Sequence, residues 1–294
     1  MKILITGSNG LLGQKLVEIF SNDSNVDLIA TSRGGNRLNE GNYAYHDLDV
    51  TKEEDVHKII NQYSPHAVIH TAAMTNVDKC EDEKDNCYDL NVNATKYIVE
   101  ACEKASCFLL HISTDFIFDG NNGPYDENAE PNPINYYGET KLEAEKLVTS
   151  STLNWAIART VLVYGQAQDM SRSNIILWVK DNLEKGKALK LVTDQLRSPT
   201  LAEDLAQGCK LIVEQKAEGI FNVSGDELLT PYEMAIITAD FFKLDKNLIS
   251  AVDGSTFQQR AARPLKTGLL VDKMKKLLGY QPRKLNEGIS ILTK

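Results

Sequence analysis

Tyr137 and Lys141 stand in the order Tyr-x-x-x-Lys. On a helix that spacing is one turn, so the phenol and the ammonium share a face. A free phenol titrates near pH ~10, too high for ready proton exchange at neutral pH. A nearby ammonium, together with the positive ring of an oxidised nicotinamide, favours the phenolate and makes Tyr137 a usable acid/base. In the reductive direction Tyr137 gives a proton to a carbonyl oxygen as hydride reaches the carbon, and Lys141 also reaches the nicotinamide ribose. Tyr136 competes by residue type, but it has Thr140 rather than a lysine four positions on.

A second constellation opens the chain. Gly7-Ser8-Asn9-Gly10-Leu11-Leu12-Gly13 is Gly-x-x-Gly-x-x-Gly between an apolar run and an amphipathic stretch. Glycines let the backbone turn sharply and approach a pyrophosphate, whose charge then rests on the amides of a helix N-terminus. The last one admits close helix–strand packing. Residues 7 and 9–13 are therefore the first candidates for cofactor contact. An acidic residue that would hold a ribose 2′-hydroxyl is missing after the second strand, where Thr31-Ser32-Arg33-Gly34-Gly35-Asn36-Arg37 stands instead. Arg33 or Arg37 can pair with a 2′-phosphate, which favours NADP(H), with NAD(H) as the alternative. Ala72 and Ala73 follow the fourth strand, and their small side chains let a flat cofactor lie against the strand end.

The elements that must position these groups follow from hydrophobic periodicity. Strands are expected at 3–5, 27–31, 43–48, 67–70, 108–112, 155–163 and 219–223. Helices are expected at 11–20, 53–63, 91–104, 141–148 and 175–183. Alternation of this kind implies a doubly wound parallel α/β sheet with right-handed crossovers, a Rossmann arrangement. Residues 1–165 with about 196–224 are expected to form the dinucleotide-binding domain. About 166–195 with 225–294 form a smaller, mainly helical substrate lobe.

Bulk composition fits this. The 294 residues are 42% hydrophobic and 25% charged, ordinary for a folded chain. With 32 basic and 41 acidic residues the net charge is -9, which leaves no footprint for nucleic acid. Five scattered cysteines without a Cys-x-x-Cys pair suggest reduced thiols, and Cys102 and Cys107 fall near apolar runs as core residues. No metal-ligand cluster, signal peptide or membrane-length apolar stretch is evident, so a cytoplasmic protein without a membrane partner is expected.

The glycine spacing resembles that of extended short-chain dehydrogenases/reductases. Ser113-Thr114-Asp115-Phe116-Ile117-Phe118-Asp119-Gly120 is similar to a string of the dTDP-4-dehydrorhamnose reductase family. Asp194-Gln195-Leu196-Arg197-Ser198-Pro199-Thr200 and Ala262-Arg263-Pro264-Leu265-Lys266-Thr267 resemble two further segments of those enzymes, and the likeness covers nearly the whole chain. The resemblance implies that Thr114 orients and polarises the substrate carbonyl, and that Asp115 positions substrate or relays a proton. It places Asp49-Val50 at the adenine, and Thr75, Val77, Phe116 and Arg263 at the sugar. It gives Asn91, with Asn93 as a neighbour of the same type, a cofactor contact and the task of organising the active-site helix and a water. The chain departs from the family at Arg159-Thr160-Val161-Leu162-Val163-Tyr164-Gly165, where Leu162 replaces a tryptophan of the sugar site. The implied activity is NAD(P)H-dependent reduction of the 4-keto group of a nucleotide-linked deoxysugar, dTDP-4-dehydrorhamnose to dTDP-L-rhamnose, and a homodimer is compatible with it. Two alternatives stand beside it. One is another nucleotide-sugar reductase or epimerase; the other is a non-catalytic NADP-binding regulatory subunit resembling the methionine adenosyltransferase β subunit.

Overall fold

The computed structural model describes residues 1–38, 41–170 and 173–293. In chain order the first half runs β1 (Lys2–Thr6), α1 (Leu11–Ser21), β2 (Asp27–Ser32), β3 (Ala44–Asp47), α2 (Glu53–Tyr63), β4 (Ala67–His70), α3 (Val77–Asp82), α4 (Lys84–Tyr88), α5 (Ala94–Ala105), β5 (Phe108–Thr114), α6 (Tyr136–Thr149) and β6 (Trp155–Thr160). The second half adds β7 (Val163–Tyr164), α7 (Ile175–Glu184), β8 (Leu189–Val192), β9 (Thr200–Leu201), α8 (Ala202–Gln215), β10 (Gly219–Asn222), α9 (Pro231–Phe242), β11 (Ile249–Val252), α10 (Asp272–Leu278) and α11 (Leu285–Ile291).

Seven strands form one parallel sheet in the order β10-β6-β5-β4-β1-β2-β3, the expected doubly wound α/β arrangement. Its strands are apolar on both faces because helices cover both. Ile3, Ile5, Leu110 and Ala158 pack with Leu16, Phe20, Leu205 and Ile212 of α1 and α8. Leu4, Val68, Leu109 and Ile157 pack with Val56, Ile60, Ile98 and Val148 of α2, α5 and α6. The strand order reverses at β1 and β4, so a crevice opens at their carboxyl ends. There Thr6 pairs in register with His70, and His70 with His111 of β5.

Several elements differ from expectation, the short strands β7, β8 and β9 among them. The strand expected at 155–163 ends at Thr160, because Leu162 has φ 38°, a left-handed conformation that breaks an extended run. The helix expected from Asn91 is preceded by α4 and a π-helical turn at Asp89–Asn93, a departure that hydrophobic period alone cannot signal. The helical reading from Gly225 holds for α9, whose capping box joins Thr230 and Glu233 with Pro231 in the first turn, but misses β11. β11 pairs with β8 in a small parallel sheet, and β7 pairs with β9. All five cysteines are free and buried. Among the described residues no helix is long and apolar enough to cross a membrane.

Candidate active site

The loop after β1 is shaped by contacts that exclude side chains. Gly7 has φ 71°, and a Cβ there would lie 2.8 Å from the backbone nitrogen of Ala72. A Cβ on Gly13 would sit 2.2 Å from the Gly7 carbonyl oxygen. Only glycine lets α1 begin so close to β1. Gly10 caps α1 without a side-chain hydrogen bond, and the first turn carries no acid. The leading amides thus face the crevice as an anion cradle.

Asn9 braces the neighbouring loop. Its Oδ1 accepts from the Arg37 backbone N–H (3.1 Å), and its Nδ2 donates to the Gly35 carbonyl (2.9 Å). The Arg37 guanidinium donates to the Asp169 carbonyl at 2.9 Å. Asp47, at the end of β3, spends one oxygen on the Gly34 N–H at 2.7 Å.

At the end of β5 a tight 3-10 turn, Asp115–Ile117, is capped by Thr114, whose Oγ1 accepts from the Phe116 N–H at 3.3 Å. α6 is laid against that turn. A Cβ on Gly138 would come 2.2 Å from the Phe116 carbonyl oxygen, so glycine is required for the approach. Asn135 caps α6 by accepting from the Gly138 N–H (2.9 Å) and donates to the Ala262 carbonyl (3.0 Å). Tyr137 lies in the first turn of α6, edge-on to Phe116 with centroids 5.8 Å apart, and its phenol interacts with the Thr114 hydroxyl. The Tyr136 ring lies under the Lys84 ammonium at 4.7 Å, and of the two tyrosines Tyr137 lines the cleft.

Electrostatics at these groups are dominated by burial. Desolvation pushes the Tyr137 phenol well above its ordinary value, against the Thr114 hydrogen bond that favours the phenolate. Lys141 is pulled down to about 8 by its burial, with Glu145 opposing. Burial raises the Asp115 carboxyl, opposed by Arg197 and by hydrogen bonds from Thr267 and Thr114.

One cleft of about 890 Å³ gathers nearly every residue singled out in the sequence. Gly7, Asn9, Gly10, Leu11, Leu12, Gly13, Arg33, Arg37, Asp49, Val50, Ala72 and Ala73 line one end. Thr75, Val77, Thr114, Asp115, Phe116, Tyr137, Lys141, Leu162 and Arg263 line the rest. Asn91 is the exception and corrects the expectation of cofactor contact. It is buried behind the wall, where Oδ1 accepts from the Met74 N–H (2.8 Å) and Nδ2 donates to Thr140 Oγ1 (3.1 Å). From the π-helical turn it is bonded to Thr140 of α6. Arg263 is partly committed too, donating to Asp78 Oδ2 at 2.8 Å.

Gln195, Arg197, Asn174 and Pro231 also line the cleft. Sequence reasoning quoted the string holding Gln195 and Arg197 without assigning them a place there. Asn174 and Pro231 had no signal beyond being a helix cap and a helix start. Remote from the cleft, Glu53, His57 and Glu100 bring ligand-type atoms within 4.8 Å of one another. Lys104 Nζ lies 3.2 Å from His57, and the group is part of a charged surface.

The chain resembles known proteins over most of its length. A family model described as RmlD substrate binding domain matches residues 1–294. The chain is 31% identical over 259 residues to methionine adenosyltransferase 2 subunit beta of Rattus norvegicus, covering 86% of this chain and 76% of that one. The crystal structure of a dTDP-4-dehydrorhamnose reductase from Clostridium acetobutylicum superposes with a TM-score of 0.89 at 30% identity, covering 100% and 98% of the two chains. That of the Bacillus anthracis dTDP-4-dehydrorhamnose reductase in complex with NADP gives 0.85 at 28% identity, covering 99% and 98%.

Proposed function

The chain belongs to the RmlD substrate binding domain family, and from that premise we propose that it is an NAD(P)H-dependent reductase of a nucleotide-linked 4-keto deoxysugar. The specific form we favour is dTDP-4-dehydrorhamnose to dTDP-L-rhamnose. One observation carries the reading: Thr114, Tyr137 and Lys141 converge on the wall of the same cleft that the glycine loop opens.

The residues fit a nicotinamide dinucleotide. Gly7 and Gly13 let the start of α1 pack directly against the ends of β1 and β4, and that uncapped start offers amides to a pyrophosphate. Arg33 and Arg37 border the end where a 2′-phosphate would lie, and β2 ends on Ser32 rather than on a carboxylate, which favours NADP(H). Asp49 and Val50 would border the adenine, and Ala72 and Ala73 the flat face of the cofactor. Bound there, the reduced cofactor supplies hydride. Residues 1–165 with about 196–224 then hold the dinucleotide, and about 166–195 with 225–294 complete the sugar end.

The chain's own groups do the rest. Thr114 turns its one hydroxyl proton from Asp115 Oδ1 to the substrate carbonyl, polarising it. Tyr137, kept protonated by its burial, gives its proton to that oxygen as the carbon accepts hydride. Lys141 stabilises the phenolate left behind, which solvent then reprotonates. Asp115 holds the turn that carries Thr114, and Thr75, Val77, Phe116, Leu162 and Arg263 shape the sugar end.

Oxidation of NADPH and NADH by the purified protein with dTDP-4-dehydrorhamnose tests this. Turnover that disappears in Tyr137→Phe is expected; absence of turnover with either cofactor would refute the substrate. The likeness to methionine adenosyltransferase 2 subunit beta carries a second reading, a cofactor-binding subunit without turnover of its own. NADPH binding without consumption, and copurification with a larger catalytic chain, would establish that reading instead.

A further inference from the structure

Lys141 is 3% exposed, yet among the described residues no carboxylate forms an ion pair with it. A buried ammonium ordinarily demands an anion or a full set of acceptors. Glu145, one turn along α6, already holds Arg159 of β6 at 2.7 Å. The Cys87 thiol of α4 faces the ammonium more distantly. The acceptors Lys141 does have are both on β5: the Ile112 carbonyl at 2.8 Å and His111 Nε2 at 3.1 Å.

His111 is itself 1% exposed, and it sits beside His70 with ring centroids 5.5 Å apart. His70 is held in turn by Thr6 Oγ1 at 2.7 Å. For His111 Nε2 to accept from an ammonium it must be unprotonated, which puts the ring proton on Nδ1. That atom is buried without a partner among the described residues. Leaving a buried donor unmade is costly, so the ring is not placed to satisfy itself. It is placed so that Nε2 meets Lys141.

We propose that His111 is a positioning residue: as a neutral acceptor it pins the Lys141 ammonium to β5 and leaves its third N–H for the cleft. An ammonium has three donors. Ile112 and His111 take two, and Lys141 forms part of the cleft wall where the remaining one can serve the phenolate or a ribose hydroxyl. Burial, with the Lys141 charge beside it, keeps the His111 ring neutral, and burial holds His70 neutral at about 3. The role named here rests on the reductase reading of Lys141, whereas the His111 tautomer does not.

Two measurements separate those questions. The chain has five histidines, so 15N-histidine spectra can be assigned. An unprotonated Nε2 on His111, with a shift that moves in Lys141→Met, is expected; an Nε2–H tautomer would overturn the proposal whether or not the protein is a reductase. In turnover, His111→Leu should lose about tenfold in kcat with the sugar KM unchanged, the loss of one charge-assisted hydrogen bond. Its alkaline limb should move to lower pH, because an acceptor that favoured the ammonium is gone. His111→Gln, which offers an acceptor oxygen at similar reach, should recover both. Unchanged kcat and limb in a folded His111→Leu, or a loss that glutamine does not recover and that leaves the limb in place, would overturn it. Failure of NADPH to bind the unmodified protein would instead sink the reductase reading, with the tautomer still deciding the inference.

Discussion

The Asp115 carboxylate accepts a hydrogen bond from the Thr267 hydroxyl, closing a separation of 152 residues beneath the cleft. Its other oxygen accepts from Thr114 at 3.2 Å, and the Arg197 Nε lies 3.9 Å from the oxygen that Thr267 meets. Arg197 in turn donates to the carbonyls of Leu265 and Pro264, so the segment around Arg263 is tied to the end of β5 through one buried acid. Asp115 is thereby tied at once to Thr114, Thr267 and Arg197.

Asp115→Asn tests that placement. Because burial raises the folded-state carboxyl above its unfolded value, the contribution of Asp115 to stability is full below the ordinary carboxylate range. It is lost as pH rises through the raised value. The asparagine variant, free of that titration, should therefore gain on the native protein as pH climbs from the carboxylate range to neutrality, read by denaturant melts at several pH values. Thr267→Val should cost about 1 kcal/mol at all of them and raise the sugar KM while leaving NADPH affinity alone. A pH-independent difference between Asp115 and asparagine would contradict the buried, destabilised carboxylate.

Lys141→Met should abolish turnover and stabilise the fold. The folded-state ammonium titrates at about 8 against an ordinary value of 10.5, so the folded protein binds fewer protons between those limits and stability rises with pH across them. Below about 8 the full cost is present, about 3 kcal/mol from that difference. Methionine removes it, so the gain should be largest at pH 7 and vanish towards 10.5. Native turnover should decline above pH ~8 as the ammonium is lost. A methionine variant no more stable than native at pH 7 would show that the buried charge carries no such cost.

Glycine positions allow a clean contrast. Gly13→Ala would drive a Cβ to 2.2 Å from the Gly7 carbonyl oxygen and 2.7 Å from Ser8 Cα, both backbone atoms that cannot step aside. It should cost roughly 1–3 kcal/mol of stability and weaken NADPH binding in fluorescence titration. Gly35→Ala, in the neighbouring loop, meets nothing within 4 Å and should change neither. Equal effects of the two would mean that the loop around Gly13 relaxes freely.

The first five strands and the glycine loop were legible because strand period, helix period and turn chemistry agree there. Tyr137 and Lys141 were legible from spacing, and Thr114 from its string. What escaped were features set by tertiary contact. The π-helical turn that moves Asn91 behind the wall leaves no periodic trace, and the partners of Asp115 lie far along the chain. β8 and β11 are four residues each, and their apolar faces become meaningful only against α7 and α9. His111 reads as one more position in a buried strand until Lys141 is placed over it.

Leu162 is the residue on which recognition of the sugar can be tested directly. Its φ of 38° puts an aliphatic side chain in a conformation that disfavours it, on the wall of the cleft and 38% exposed. Strain of about 1–2 kcal/mol for such a residue persists only where surroundings impose it. Here the Thr200 N–H donates to its carbonyl at 3.3 Å, holding the bend between β6 and β7. Leu162→Trp keeps that backbone and adds a broad face worth about 0.5–1.5 kcal/mol against a ring or base. The sugar KM should fall by roughly two- to tenfold on that energy, with kcat and NADPH affinity unchanged. A KM unmoved by tryptophan would place the sugar elsewhere in the cleft, whereas a fall in NADPH affinity would assign Leu162 to the cofactor instead.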